Sequence, residues 1–81
     1  MNKLTFEYQQ LLDTSGLYCP EPIMLLHTKL NEMQVGEILL LIATDPATTK
    51  DVPKFSQFLK HPLVHQEETQ QQYRYWLKKL G

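Results

Sequence analysis

The sequence predicts a two-layer α/β sandwich (an α+β arrangement) with the element order β-α-β-α-β-β. Two helices should cover one face of a mixed four-stranded sheet. Three observations support this fold class. A proline start signal for a helix occurs twice, and each time it follows a segment of strand character. The unbroken apolar run at 38–42 is typical of a central strand that is covered on both faces. Two further strand segments follow Pro62 and are separated by a polar turn.

The length and charge of the chain limit the possible functions. We treat residues 1–81 as a single domain with a polar lead-in at 1–9. A chain of this size buries roughly 60% of its unfolded surface, which leaves no room for a deep enclosed active site. The net charge of −1 provides no global attraction to nucleic acid or to an anionic membrane. The longest apolar run is too short to span a bilayer, so we expect a cytoplasmic protein without membrane contact.

The first strand and the first helix follow from local signals. The strand is predicted at 10–13 and is followed by a turn at 14–16. The helix should begin at Pro20, because proline is favoured at the first helical position, where an N–H would be unsatisfied anyway. Proline also moves the preceding residue out of the α region, which suits Cys19 as the N-cap. The core-facing stripe is spaced at i, i+3, i+7 and i+10 and consists of Ile23, Leu26, Leu30 and Met33.

The remaining elements are predicted as a strand at 37–44, a helix at 46–60 and strands at 63–68 and 72–79. Because a strand-helix-strand unit forms a right-handed crossover, the first two strands should be parallel. The second helix should bury Val52, Phe55 and Leu59, with Phe58 flanking them. Pro53 lies inside this helix and cannot donate a backbone hydrogen bond, so we expect a kink or a restart there.

The single cysteine, Cys19, is the candidate reactive residue. It lies in the motif Cys19-Pro20-Glu21-Pro22 at the predicted helix start, where backbone N–H groups and the helix dipole favour the thiolate. Pro22 removes one of the N–H groups available to an N-cap, and Glu21 adds a nearby negative charge. We therefore expect an exposed, modestly activated thiol on a stiff turn. From spacing alone, a small buried hydrophobic role for this cysteine is equally open.

Four apolar residues near the motif are predicted to form a docking collar around the thiol, namely Leu17, Tyr18, Met24 and Leu25. No metal site is expected. His61 and His65 have a spacing that helical metal sites use, but Pro62 predicts extended chain there. Four residues of extended chain span about 13 Å, which is too far for the two side chains to share one ion.

Two alternative functions remain open from the residues alone. The last strand combines basic and aromatic residues, as RNA-contacting strands do. Strand alternation places Arg74, Trp76 and Lys78 on one face, so a small RNA-binding or regulatory module could use Arg74 and Trp76. A redox enzyme acting through the thiol would need a resolving cysteine, which the chain lacks.

Three blocks of the sequence resemble those of the TusA/SirA-like sulfur-carrier family. They are residues 12–22 with the Cys-Pro-Glu-Pro motif, residues 45–53, and Tyr73-Arg74-Tyr75, which is similar to the TusA branch. The resemblance implies a sandwich like the C-terminal domain of translation initiation factor three. It also implies that Cys19 is the persulfide site and that Pro20, Glu21 and Pro22 present its thiol.

The resemblance further implies the partners. A cysteine desulfurase would donate sulfane sulfur to Cys19, and a sulfur-relay complex would accept it, ending in 2-thiolation of the wobble uridine of certain tRNAs. The tRNA would be reached only indirectly. The chain would act as a monomeric covalent carrier rather than a stand-alone enzyme, with no cofactor beyond the transient sulfur. Relatives also supply sulfur for the molybdenum cofactor or act in sulfur oxidation, selenium metabolism and regulation.

Overall fold

The computed structural model describes residues 7–80, so residues 1–6 of the predicted lead-in lie outside the described part. The elements are β1 (Gln10–Thr14), α1 (Glu21–Glu32), β2 (Ile38–Ala43), α2 (Thr48–Leu59), β3 (Leu63–Glu68) and β4 (Tyr73–Lys78). One sheet contains the strands in the order β1-β2-β4-β3. Strands β1 and β2 are parallel, and the other two pairs are antiparallel. The predicted element order and mixed sheet are confirmed. No helix within residues 7–80 is long and apolar enough to cross a membrane.

The core lies between the two helices and one face of the sheet. The predicted stripe of α1 is confirmed, since Leu26, Leu30 and Met33 are buried and Ile23 packs against them. Alternate residues of the central strands point to the same side. The cluster includes Leu39 and Leu41 from β2, Tyr75 and Leu77 from β4, and Val52 and Phe55 from α2. The two helices therefore share one layer, as the sequence predicted.

The opposite face of the sheet is also closed at its centre. Trp76 lies there as strand alternation predicts, in register with Leu40 of β2 and with its ring 5.0 Å from that of His65. However, Trp76 is only 4% exposed and Leu40 only 7% exposed. The alternative in which an RNA-binding module uses Trp76 is therefore not supported, because the large apolar ring is packed in the interior of the protein. A buried indole cannot stack on a nucleotide base.

Helix α2 runs without interruption from Thr48 to Leu59 and contains Pro53. The expected restart does not occur, because a proline removes only its own N–H from the helix and the flanking turns remain bonded. Val52 and Phe55 are buried as predicted, whereas Phe58 is 84% exposed. Phe58 therefore lies on the surface of the molecule and does not flank the core.

Candidate functional site

The parallel pairing of β1 and β2 places two loops side by side at one edge of the sheet. Thr14 ends β1 in register with Ala43 at the end of β2, so the segments 15–20 and 44–47 leave the same edge. The Gly16 N–H donates to Thr44 Oγ1 at 2.8 Å, which ties the two loops together. Gly16 has φ +83°, a conformation that side-chain-bearing residues rarely adopt. The loop that carries Cys19 is thereby fixed against the loop that leads into α2.

Asp45 holds the backbone of Cys19. Its Oδ2 accepts a hydrogen bond from the Cys19 N–H at 2.7 Å, and its Oδ1 accepts one from the Ala47 N–H at 3.0 Å. Asp45 is 7% exposed, so little water competes for these bonds. In the sequence, Asp45 directly precedes the predicted start of the second helix at residue 46, and no local signal links it to Cys19. In the structure the same carboxylate positions the reactive residue, 26 residues earlier in the chain.

Cys19 is not the N-cap of α1, and that prediction is wrong. Pro20, which follows a cis peptide bond, occupies the cap position, and no side chain caps the helix. The Glu21 N–H donates to the Tyr18 carbonyl oxygen at 2.9 Å, so it does not serve the sulfur. The Met24 N–H donates to the Pro20 carbonyl oxygen at 3.0 Å. A tight turn therefore precedes the helix and places Cys19 outside it.

The thiol faces a groove of ≈ 630 Å³ between α1 and α2. Cys19 and Ile23 line one side, and Asp51, Lys54, Phe55 and Phe58 line the other. Four of the five α2 residues that line the groove are spaced at i, i+3, i+4 and i+7, so they share one helix face, and Gln57 is the fifth. Sequence reasoning missed this surface. The spacing was visible, but the face of α2 that meets Cys19 is decided by the packing of the two helices.

Two carboxylates raise the pKa of the Cys19 thiol. The largest cause is a hydrogen bond between the thiol and Asp51, followed by desolvation and by the charges of Asp51 and Asp45. A carboxylate opposes ionisation of a neighbouring thiol, because two negative charges would then face each other. The expected modest activation by the helix dipole is therefore wrong. The thiol is exposed as predicted, but its ionisation is held back.

The family of the chain follows from comparison with known proteins. The family described as sulfurtransferase TusA matches residues 10–79. Proteins named sulfur carrier protein TusA from Pseudomonas aeruginosa (strain LESB58) and Pseudomonas putida (strain W619) are each 47% identical to it. The first alignment covers 94% of this chain and 96% of the relative, and the second covers 91% and 92%. The chain belongs to the TusA family.

The fold agrees with this assignment to the TusA family. A SirA-like protein from Desulfitobacterium hafniense superposes with a TM-score of 0.77 at 14% identity, covering 90% of this chain and 100% of that chain. At that identity the likeness shows the fold alone. The predicted membership in the TusA/SirA-like family and the predicted two-layer fold are both confirmed.

The residues predicted to present the thiol and to dock a partner occupy different surfaces of this TusA-family chain. Pro20 and Glu21 are exposed beside the thiol, while Pro22 is buried. Tyr18, Met24 and Leu25 are exposed by 67%, 60% and 41%, and Leu17 is half-buried. None of these last four residues lines the groove. Two apolar surfaces, the predicted collar and the groove, therefore lie near Cys19.

The histidines that were weighed as metal ligands have other partners. His61 is buried, and its Nδ1 accepts a hydrogen bond from the Leu80 N–H at 3.1 Å. His65 Nε2 lies 3.1 Å from Glu67 Oε2. Within residues 7–80 no group of three or more His, Cys, Asp or Glu side chains could hold a metal ion.

Proposed function

We propose that this protein is a sulfur carrier that accepts sulfane sulfur from a cysteine desulfurase as a persulfide on Cys19. It passes the sulfur to a downstream relay that ends in 2-thiolation of the wobble uridine of tRNA. The observation that carries the proposal is the placement of the only cysteine. Its thiol is exposed and lines a groove, while its backbone is held by the buried carboxylate of Asp45. Membership in the TusA family, whose relatives are named sulfur carriers, supports the same function.

The loading step is a thiol exchange on sulfur. The Cys19 thiolate attacks the terminal sulfur of the donor's persulfide and forms a new S–S bond. The donor's own S–S bond breaks, and its cysteine leaves as a thiolate, which takes up a proton equivalent to the one lost by Cys19. One thiol and one persulfide are consumed and one of each is formed, so the step needs no external oxidant or reductant.

The surfaces around Cys19 support transfer to a protein partner. A desulfurase would contact the exposed apolar residues beside the thiol, either on the collar or at Phe58 in the groove. Direct binding of tRNA to this protein has less support than docking of a protein partner. Trp76 is buried, and the Arg74 Nε–H donates to Gln72 Oε1 at 3.1 Å within its own strand region. Contact with tRNA would therefore be made through the relay.

Intact mass spectrometry tests the loading step. The protein is incubated with a cysteine desulfurase and L-cysteine and is analysed without reductant. Wild type should gain one sulfur atom, and Cys19→Ser should gain none. An unmodified wild type, or an equal gain on Cys19→Ser, would overturn the sulfur-carrier proposal.

The tRNA end point needs a separate test in cells. Deleting the gene should lower the 2-thiouridine content of total tRNA, and wild type should restore it whereas Cys19→Ser should not. Unchanged 2-thiouridine in the deletion strain would refute the tRNA end point. The loading assay would still decide whether the protein carries sulfur.

A further inference from the structure

Asp51 forms no ion pair with any other residue of the described range 7–80. It lies in the first part of α2, is half-exposed, and lines the groove opposite Cys19. Lys54 lies one turn further along the same helix and also lines the groove. Yet the only ion pair among residues 7–80 joins His65 to Glu67, so Lys54 does not pair with Asp51. The Asp51 carboxylate therefore raises the pKa of the Cys19 thiol without being held in an ion pair of its own.

The other charged groups around the thiol differ from Asp51 in what already binds them. Asp45, in the loop before α2, accepts a hydrogen bond from a backbone N–H group at each of its two carboxylate oxygens. Glu21 is exposed in the first turn of α1 and does not line the groove. Asp51 is thus the carboxylate that shares the groove with Cys19 and can still be reached by a partner.

We propose that Asp51 is a positioning residue that keeps the Cys19 sulfur protonated and directed into the groove, and that a cationic side chain of the docked partner neutralises Asp51 and releases the thiolate. The identity of that partner as a sulfur donor or acceptor rests on the proposed function. The need for a cation follows from electrostatics alone. A protein surface that covers the groove removes water from Asp51, and an unpaired carboxylate without water is strongly unfavourable.

Neutralising Asp51 also removes the penalty on the thiolate, because the repulsion between two negative charges is replaced by attraction to the arriving cation. Docking and activation would therefore be one event. A carrier built in this way reacts slowly with stray electrophiles in solution and quickly inside a complex that supplies the matching charge.

The first test is the pH dependence of Cys19 alkylation by iodoacetamide, a neutral reagent. Two unit charges about 4 Å apart in water change an equilibrium by about fivefold, so Asp51→Asn should raise the thiolate fraction below the thiol pKa by about that factor. Since a less basic thiolate is also less nucleophilic, the net rate gain should be about two- to threefold. At high pH, where both proteins are fully ionised, the order should reverse and wild type should react faster.

A variant that only made Cys19 more accessible would react faster at every pH, so its profile would not cross that of wild type. Glu32→Gln is the matched control, since Glu32 is an exposed carboxylate at the far end of α1 and does not line the groove. Its profile should coincide with that of wild type. Superimposable profiles for Asp51→Asn and wild type, or an equal shift in Glu32→Gln, would overturn the role of Asp51.

The second test replaces the partner's cation with a cationic reagent. Cys19 is alkylated with (2-bromoethyl)trimethylammonium and, separately, with iodoacetamide, and the ratio of the two rates is compared between variants. Asp51 should attract the cation, so the ratio should fall about threefold or more in Asp51→Asn and should fall with added salt in wild type. A ratio that is the same in wild type and Asp51→Asn would refute the neutralisation by a cation.

Two measurements keep these tests decisive. If Asp51→Asn does not fold, as judged by circular dichroism, Asp51→Glu retains the charge and should keep the wild-type rate ratio for the two reagents. If the ratio of the two alkylation rates in Asp51→Glu fell about threefold, as is expected for Asp51→Asn, the proposal would be contradicted. Alkylation does not depend on sulfur transfer, so failure of desulfurase loading with crossing pH profiles would remove the proposed function and leave the role of Asp51 in place.

Discussion

Replacing Asp45 with alanine should destabilise the protein strongly, although Asp45 lies in a loop. The substitution removes two hydrogen bonds to a carboxylate, from the Cys19 N–H at 2.7 Å and the Ala47 N–H at 3.0 Å. Bonds to charged groups contribute about 1.5–3 kcal/mol each, and the partial exposure of the Cys19 loop lets water replace part of this. We expect a loss of about 2–4 kcal/mol in the free energy of unfolding.

A loss of that size is large for this chain. A domain of this length is stable by about 4–12 kcal/mol, so one loop carboxylate would account for a sizeable share. Urea unfolding followed by circular dichroism measures the change directly. Asp45→Asn should lose less, about 1–2 kcal/mol, because its amide can still accept one of the two hydrogen bonds.

Asp13→Ala is the matched control for Asp45→Ala. Asp13 also accepts two hydrogen bonds, from the Ser15 N–H at 2.9 Å and the Ser15 hydroxyl at 2.6 Å, but it is exposed. Water can replace both bonds, so the loss should stay below about 1 kcal/mol. If Asp45→Ala and Asp13→Ala lost equal stability, burial of Asp45 would not be what gives its hydrogen bonds their strength.

Three other predictions concern the core, a buried histidine and the groove. Tyr75→Phe should lower the free energy of unfolding by about 1 kcal/mol, because the Tyr75 hydroxyl is 3.0 Å from Thr48 Oγ1 in the core. Burial lowers the pKa of His61 below its usual 6.5, so the unfolded chain binds the proton first. Stability should therefore be full above pH 6.5 and fall as the pH drops below it, and His61→Asn should flatten that fall. Phe58→Ser should leave the urea midpoint unchanged and reduce the efficiency of sulfur loading about tenfold.

Each of these three has its own control and contrary outcome. An unchanged urea midpoint in Tyr75→Phe would mean that the hydroxyl pair contributes nothing net. For the pH effect, His65→Gln should keep the loss of stability below pH 6.5, and an undiminished loss in His61→Asn would contradict the assignment. For the groove, Val64→Ser removes an apolar side chain that is 46% exposed on β3, away from the groove, and should load at the wild-type rate. Equal loading by Phe58→Ser and wild type would exclude Phe58 from the docking surface.

The fold could be predicted because its determinants are local. The spacing of Leu26, Leu30 and Met33 defines a helix face whatever it packs against. The apolar run of β2 indicates a strand covered on both sides, and its burial confirms this. Right-handed crossover then fixes the parallel pairing of β1 and β2. None of these steps needs a contact between distant residues.

Only those features of the site that depend on neighbouring residues in the sequence could be predicted. The proline motif correctly indicated an exposed cysteine before a helix, but the turn from Tyr18 to Glu21 moves Cys19 out of the cap position. The two carboxylates that position Cys19 and raise the pKa of its thiol, Asp45 and Asp51, lie outside the Cys-Pro-Glu-Pro motif. The motif alone could therefore not predict them. The same limit applies to Trp76. Strand alternation correctly predicted which face of the sheet it lies on, but it could not predict that the side chain is buried there.

The two longest sequence blocks of the TusA family are best understood as one site, because β1 and β2 end at the same edge of the sheet. The first block supplies Cys19, and the second supplies both carboxylates that act on it. Asp45, in the loop before α2, accepts a hydrogen bond from the Cys19 N–H, and Asp51, within α2, raises the pKa of the Cys19 thiol. The same segment therefore sets where the sulfur lies and how readily it ionises. It follows that substitutions of Asp45 and Asp51 are substitutions at the reactive centre, even though both residues lie more than twenty positions from the cysteine in sequence.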